Sequence, residues 1–242
     1  MRKRRPALFK GRHFEAEIIV VCVRWYLRYA LSYRDLEELM AERNLRVDHV
    51  TIWRWVQHYA PELAKRCRRE LRRTNASWRV DETYLRVAGE WTYLYRAVDS
   101  EGNTIDFLLS PNRDAAAAKR FFRKALRVPG HPRPRVINVD GNPSYPRVIA
   151  ELKVSRELGR RCRCRPVPYL NNIVEQDHRS IKRRVRASQG FRSFDGAWRT
   201  IQGIETVHMI RKGQVRWLPK GAILEQVRFV EGLSGCKPPC DG

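Results

Sequence analysis

Three consecutive runs, WRVDETYLRV (78–87), WTYLYRAVD (91–99) and TIDFLLS (104–110), are rich in β-branched and aromatic residues. Turn signals separate them at Ala88-Gly89-Glu90 and Ser100-Glu101-Gly102-Asn103. Such runs with short polar breaks specify an antiparallel three-strand meander. Beyond Ser110 the period changes. Ala118, Phe121, Phe122, Ala125 and Leu126 recur at helical spacing, the apolar run Val136-Ile137-Asn138-Val139 reads as a buried strand ending at Asp140, and a short helix is expected from Ser144 to Leu152. A possible strand near Pro166 to Pro168 and a helix opening at Asn171 or Asn172 complete the block. This mixed order predicts an α/β layer fold with a partly antiparallel sheet.

Upstream, Phe14, Ile18, Ile19, Cys22, Val23, Tyr26, Tyr29 and Ala30 have the spacing of an amphipathic helix. Ser32-Tyr33-Arg34-Asp35 reads as a capping box opening a second helix. Asp48 is the expected N-cap of a third, HVTIWRWVQHYA, which Pro61 should stop. With Val50, Trp53, Val56 and Tyr59 turned inward, His49, Thr51, Arg54 and His58 face outward. Two helices joined by a short turn outline a helix-turn-helix whose second helix enters a major groove, and the alternative is an ordinary helical bundle.

Charge selects between these. The 242 residues carry 49 Lys plus Arg against 26 Asp plus Glu, a formal net charge of +23. Hydrophobic residues make up 43%, enough for a core, so the charge is not that of a disordered chain. It calls for a polyanion, and nucleic acid is the partner that rewards clustered Arg and Lys through counterion release, with an anionic membrane surface as the alternative. The run Ile18 to Val23 is too short to cross a bilayer and lacks the pattern of a signal peptide, so a cytoplasmic protein is expected. MRKRR at the start reads as a phosphate-seeking arm, with a nuclear address as the alternative, and KRCRRELRR as the end of a helix or a linker on phosphate. Cys162-Arg163-Cys164 with Cys236 and Cys240 offers a zinc reading, but the one-residue spacing suits it poorly and free thiols are expected.

In so basic a chain the placing of acidic residues is informative. Asp81 lies within the first strand, Asp140 closes the fourth and Glu175 sits in the first turn of the last long helix. If the first and fourth strands are neighbours, the two Asp meet side by side, and a helix crossing the sheet brings Glu175 to them. Three converging carboxylates repel one another unless cations lie between, and hard oxygen ligands suit Mg²⁺ or Mn²⁺. Two such ions serve phosphoryl transfer. Glu175, Arg179, Lys182 and Arg186 share one helical stripe, so the metal-binding carboxylate would head a basic track along the bound strand. The plain alternative is that Glu175 favours the positive helix N-terminus and pairs with Arg179. Asp177 and His178 are either supports of the site or polar surface.

The chain resembles the transposases of the insertion-sequence-six family, whose Asp-Asp-Glu triad is carried on a ribonuclease H-like fold. The resemblance runs through FKGRHF (Phe9 to Phe14), the stretch from Val23 to Glu62, VDETYLRVAGEWTYLYRAVDS, INVD (Ile137 to Asp140), NNIVEQDH and RKGQ (Arg211 to Gln214). Residues 141–174 separate the second Asp from the Glu, the spacing of the family, and Lys182 stands where these proteins carry a basic residue. One departure is Gly141-Asn142-Pro143 after the second Asp, where familiar members have Lys-Ala-Pro. The resemblance implies Asp81, Asp140 and Glu175 as metal-binding residues, Lys182 beside them, and two Mg²⁺ or Mn²⁺ ions. It also implies binding of terminal inverted repeats, cleavage that frees a 3′-hydroxyl, its attack on target DNA, and a homodimer or larger assembly on paired ends. A prokaryotic host with the protein at its nucleoid is the expected setting.

The expected layout is a basic arm (1–13), a helix-turn-helix domain (14–62), a basic linker (63–76), a catalytic domain (77–215) and a tail (216–242). The rival readings are a helix-turn-helix regulator, a ribonuclease H-type nuclease, a serine or tyrosine recombinase, and an inactive relic.

Overall fold

The computed structural model describes residues 6–188 and 190–236. MRKRR and the last residues of the CKPPC motif, Cys240 included, lie outside them. The chain divides into two compact units, one from Arg73 to Lys182 and the other from the residues up to Arg72 together with those from Arg183 onward.

The unit from Arg73 to Lys182 is built on a five-stranded sheet, β1 (Ser77–Val87), β2 (Glu90–Asp99), β3 (Thr104–Ser110), β4 (Val136–Val139) and β5 (Arg163–Pro166), in the order β3-β2-β1-β4-β5. β1, β2 and β3 form the expected antiparallel meander, and β4 and β5 add in parallel. Ala88 and Gly89 both take positive φ, 51° and 85°, the turn whose twist matches two-residue hairpins. α4 (Ala115–Leu126) and α5 (Ser144–Val154) carry the returns to β4 and β5. Their Phe121, Phe122, Tyr145, Val148 and Ile149 share one buried cluster with Trp78, Val80, Tyr95, Ile137 and Val139 of the sheet. This is the α/β layer fold with a ribonuclease H-like mixed sheet that the sequence implied. The last strand falls earlier than Pro166 to Pro168, because β5 is set by pairing Arg163 to Pro166 against Val136 to Val139.

α6 (Asn172–Ala187) opens in this unit and ends in the other. Val174, Ile181 and Val185 are buried along it, as its apolar stripe predicts.

The other unit is helical. α1 (Ala16–Arg28), α2 (Tyr33–Ala41) and α3 (His49–Cys67) lie near the expected positions, and Ser32 with Asp35 forms the expected capping box. Pro61 does not stop α3. The helix runs on to Cys67, since burial of Leu63, Ala64 and Cys67 outweighs the one backbone hydrogen bond that proline forgoes. The inner stripe is Ile52, Trp55, Val56 and Tyr59, so Val50 and Trp53, expected inside, stand exposed at 39% and 44%. Residues of the expected arm also pack. Phe9 is buried with its ring centroid 4.9 Å from that of Tyr59.

Residues after Arg183 belong with these helices. α7 (Phe194–Arg211) packs on α3 and α1, and α8 (Ile223–Leu233) occupies part of the expected tail. At Gly203 of α7 an added Cβ would lie 2.6 Å from Ala60 and 2.7 Å from Leu27, so the helices meet almost backbone to backbone. Gln57 donates to Thr200 at 2.9 Å across the same contact. The compact unit holding the sheet ends at Lys182, and residues 183–215 pack with the N-terminal helices. Among the described residues no helix is long and apolar enough to cross a membrane. Cys22, Cys67, Cys162, Cys164 and Cys236 are free thiols.

Candidate active site

β1 places the first acidic residue. Successive side chains of a strand face opposite sides, so Val80 enters the cluster under α4 and α5 while Asp81 turns toward α6. There its Oδ2 lies 3.7 Å from Nδ1 of His178. Burial pushes the His178 imidazole down to about 3, with the Arg96 guanidinium adding to the effect, so the ring is neutral and the approach is a contact rather than an ion pair. β4 runs parallel beside β1 with Val80 paired to Val139. The next residue, Asp140, is thereby carried to Asp81. Asn138 donates to the Trp78 carbonyl at 3.1 Å and holds this pairing from inside the sheet.

Asp81, Glu82 and Asp140 each offer a carboxylate oxygen within 4.8 Å of the others. Burial raises the Asp81 carboxyl to about 7, with the charges of Asp140, Glu82 and Glu175 adding to it and the Glu82 amide opposing. Burial also raises Asp140, against the hydrogen bond from the Asn142 amide at 3.1 Å. Such a cluster of hard oxygen donors, with one carboxyl held far above its ordinary value by like charge and desolvation, fits a divalent cation.

Glu82 was missed by sequence reasoning, and its role differs from that of its neighbours. One of its oxygens accepts from Arg113 at 2.7 Å and from Asn142 at 2.9 Å, and the other accepts from the Tyr145 hydroxyl. With both oxygens engaged it braces the turn after Asp140 against β1. Asn142, the departure from the familiar Lys-Ala-Pro pattern, is the group that makes this brace. It also accepts the Ser144 amide at 3.0 Å, at the start of α5.

Glu175 lies in the first turn of α6, exposed, outside the group of Asp81, Glu82 and Asp140 yet near enough to raise the Asp81 carboxyl. Asn171 fixes that end of the helix by donating to the carbonyl of Val80, the residue before Asp81, at 3.1 Å. A second tie, also missed in the sequence, is buried. Arg96, directly opposite Asp81 on β2, is fully buried and donates to Asp177 at 3.0 Å. Asp177 and His178 are thus supports inside the fold, not polar surface. Arg96 stands alone in the apolar run Tyr93 to Val98 of β2, and the register of β1 on β2 with the approach of Asp177 reveals its role.

Further along α6, Lys182 places its ammonium 4.1 Å from the centre of the Tyr84 ring, and Arg179 is exposed. Arg186 is exposed in the part of α6 that belongs to the helical unit. On α3, Arg54 and His58 are exposed as expected. His49 instead contacts Glu37 at 2.8 Å, and the Thr51 hydroxyl and amide both bind Asp48, the N-cap. Those two are tied into local structure, while Trp53 offers an exposed aromatic on the same helix.

A mixed sheet that brings Asp81, within one strand, against Asp140, just past the end of the next, in a strongly basic chain has the donor set of a divalent-metal phosphoryl-transfer enzyme acting on nucleic acid. Comparison with known proteins narrows the class. Residues 75–214 match the family model described as a DDE domain. The chain is 39% identical over 210 residues to the transposase of the insertion sequence-like element IS431mec of Staphylococcus aureus strain Mu50, covering 87% of this chain and 91% of that relative. It is equally similar to the Staphylococcus aureus transposase of the element IS257 in transposon Tn4003, with the same identity and coverage. Among solved structures, the HTLV-2 integrase catalytic core domain in complex with magnesium aligns with a TM-score of 0.45 at 17% identity, over 60% of this chain and 95% of that one. The chain belongs to the insertion-sequence-six family of DDE transposases.

Proposed function

We propose that the protein binds the terminal inverted repeats of an insertion sequence, cuts one strand at each end, and joins the freed 3′-hydroxyl to target DNA. The observation that carries the residue assignment is the approach of Asp81 and Asp140, one from each of two adjacent parallel strands, to within 4.8 Å. Asp81, Asp140 and Glu175 hold the ions in this reading. Glu82 is read as a support of the site, held beside the two Asp by Arg113, Asn142 and Tyr145. Two Mg²⁺ or Mn²⁺ ions would supply the positive charge that activates a nucleophilic oxygen and stabilises the leaving oxygen.

The remaining roles belong to the chain. Arg179, Lys182 and Arg186, on the stripe that Glu175 heads, hold the phosphates of the strand being cut. Asn171 and the Arg96–Asp177 pair fix the α6 end that carries Glu175. In the helical unit α3 reads the inverted repeat, with Arg54 and His58 as its outward groups and Thr51 and His49 as the ends that orient it. Pairing of two element ends makes a homodimer or larger assembly the working form, in the cytoplasm at the nucleoid of a prokaryotic host.

The test is strand transfer with labelled element-end DNA. Turnover should require Mg²⁺ or Mn²⁺ and fall roughly a hundred- to a thousandfold, as expected for loss of a charge-stabilising group, in each of Asp81→Asn, Asp140→Asn and Glu175→Gln. Cutting that persists in all three variants overturns the assignment. Retained binding to the ends with no cutting by the unmodified protein would instead favour a regulator or a relic.

A further inference from the structure

The hairpin of β1 and β2 outruns the rest of the sheet. β4 pairs only with Ser77 to Val80, so among the described residues β1 beyond Asp81 has β2 on one side and no strand on the other. On this extension Tyr84 and Trp91 are 53% and 49% exposed, two of the more exposed large rings among the described residues. Their ring centres lie 4.9 Å apart at an interplanar angle of 86°. A cation sits over each. The Arg86 guanidinium is 4.8 Å from the centre of Trp91, and the Lys182 ammonium is 4.1 Å from the centre of Tyr84.

Exposed rings on a hairpin can serve as a cross-strand pair that stabilises the turn. Two features point beyond that. The cations come from two separate elements, β1 and α6, and bring concentrated positive charge to aromatic faces in a chain of net charge +23. The patch is also close to the acidic pair by chain geometry. Tyr84 is three strand residues past Asp81, roughly 10 Å along β1 and by alternation on its other face, but Lys182, two helical turns or roughly 10 Å past Glu175 along α6, reaches over the Tyr84 ring. That distance is about three base steps of stacked DNA. Aromatic faces set among cations are how proteins hold unpaired bases whatever their sequence.

We propose that Tyr84 and Trp91, flanked by Arg86 and Lys182, form a stacking site for an unpaired nucleobase of the DNA strand held at the acidic pair. Arg86 and Lys182 take the phosphates on either side of that base. The site holds the substrate strand open near the bond to be cut. The inference rests on DNA being the substrate, and it is independent of which carboxylates hold the ions.

The experiment uses the full chain in EDTA, so that binding is read without turnover. Element-end duplexes carry 2-aminopurine at successive terminal positions, either in an unpaired overhang or in a fully paired blunt end of the same length. Stacking on Trp91 or Tyr84 should quench 2-aminopurine in the overhang, and the unmodified protein should bind the overhang more tightly than the blunt end. Trp91→Leu, which keeps apolar bulk without an aromatic face, should weaken overhang binding on the order of tenfold and abolish the quench, leaving the blunt end nearly unchanged. Trp91→Phe should restore most of both. Tyr84→Leu should behave as Trp91→Leu does. Absence of quenching at every position with the unmodified protein overturns the proposal. So does an equal loss on both substrates, or rescue by Leu as good as by Phe, which would reduce the pair to a hairpin brace. Cutting that survived in the three carboxylate variants would refute the metal assignment and leave this result standing.

Discussion

Asp81 shows how function can oppose stability at a single side chain. Its carboxyl is raised from an ordinary 3.8 to about 7, chiefly by burial. Below pH 4 the folded and unfolded chains both keep the proton, and the group contributes nothing. Between about 4 and 7 the unfolded chain releases the proton while the folded one retains it, so stability falls as pH rises and the full penalty is present above 7. Asp81→Asn removes that penalty. In EDTA the variant should therefore be more stable than the parent at pH 8, by up to about 4 kcal/mol, and by less than half of that at pH 5. Denaturant titrations at both pH values measure this, and a gain of the same size at each would show that the carboxyl does not titrate as described. Mg²⁺ should stabilise the parent and leave the variant unmoved. The meeting of Asp81 and Asp140 was legible in the sequence because carboxylates in so basic a chain are scarce and both fall on runs that read as strands. Arg96, Glu82 and Tyr145 were not legible. Each acts across a strand or helix contact, and such contacts depend on register, which residue patterns leave open.

Elements were read well where one apolar stripe stood alone. The meander, α4 and β4 fall at or close to their expected positions, because alternation and helical spacing there admit one phase each. α3 admitted two. Val50, Trp53 and Val56 make one stripe and Ile52, Trp55, Val56 and Tyr59 another, and only the second is buried. Packing of α3 against α7 selects it, and α7 had not been anticipated. Its buried residues surround the helix, Thr200, Ile201, Ile204, Thr206 and Val207 among them, so it lacks the one-sided pattern that announces a surface helix. Gly203 is the residue that permits this packing. Gly203→Ala would put a methyl group against Ala60 and Leu27 with no room to receive it. The helical unit should lose about 1–3 kcal/mol despite the better helix propensity of alanine. Thermal unfolding measures the loss, and an unchanged or raised midpoint would mean that the helices have space to part.

At the scale of the whole chain the charge of +23 predicts DNA binding that weakens steeply with salt. The exposed Arg179 and Arg186 of α6 are the proposed phosphate contacts. Arg179→Ala and Arg186→Ala should each lower the slope of log affinity against log salt by roughly 0.9, with equal effect on element ends and random duplex. A slope that does not move in either variant would remove both from the interface. The helices after Arg183 pack with those before Arg72 in one compact unit.

That arrangement is closed by a clasp. Leu71 pairs with Val215 in an antiparallel bridge, and the Arg72 amide donates to the Gln214 carbonyl at 2.8 Å. During synthesis the ribosome releases α1 to α3 well before α7, so these helices wait, without their packing partner, until residue 215 has left the exit tunnel. A message cut short after codon 182 would then encode every strand of the sheet and every residue of α3, yet yield a protein unable to assemble its helical head.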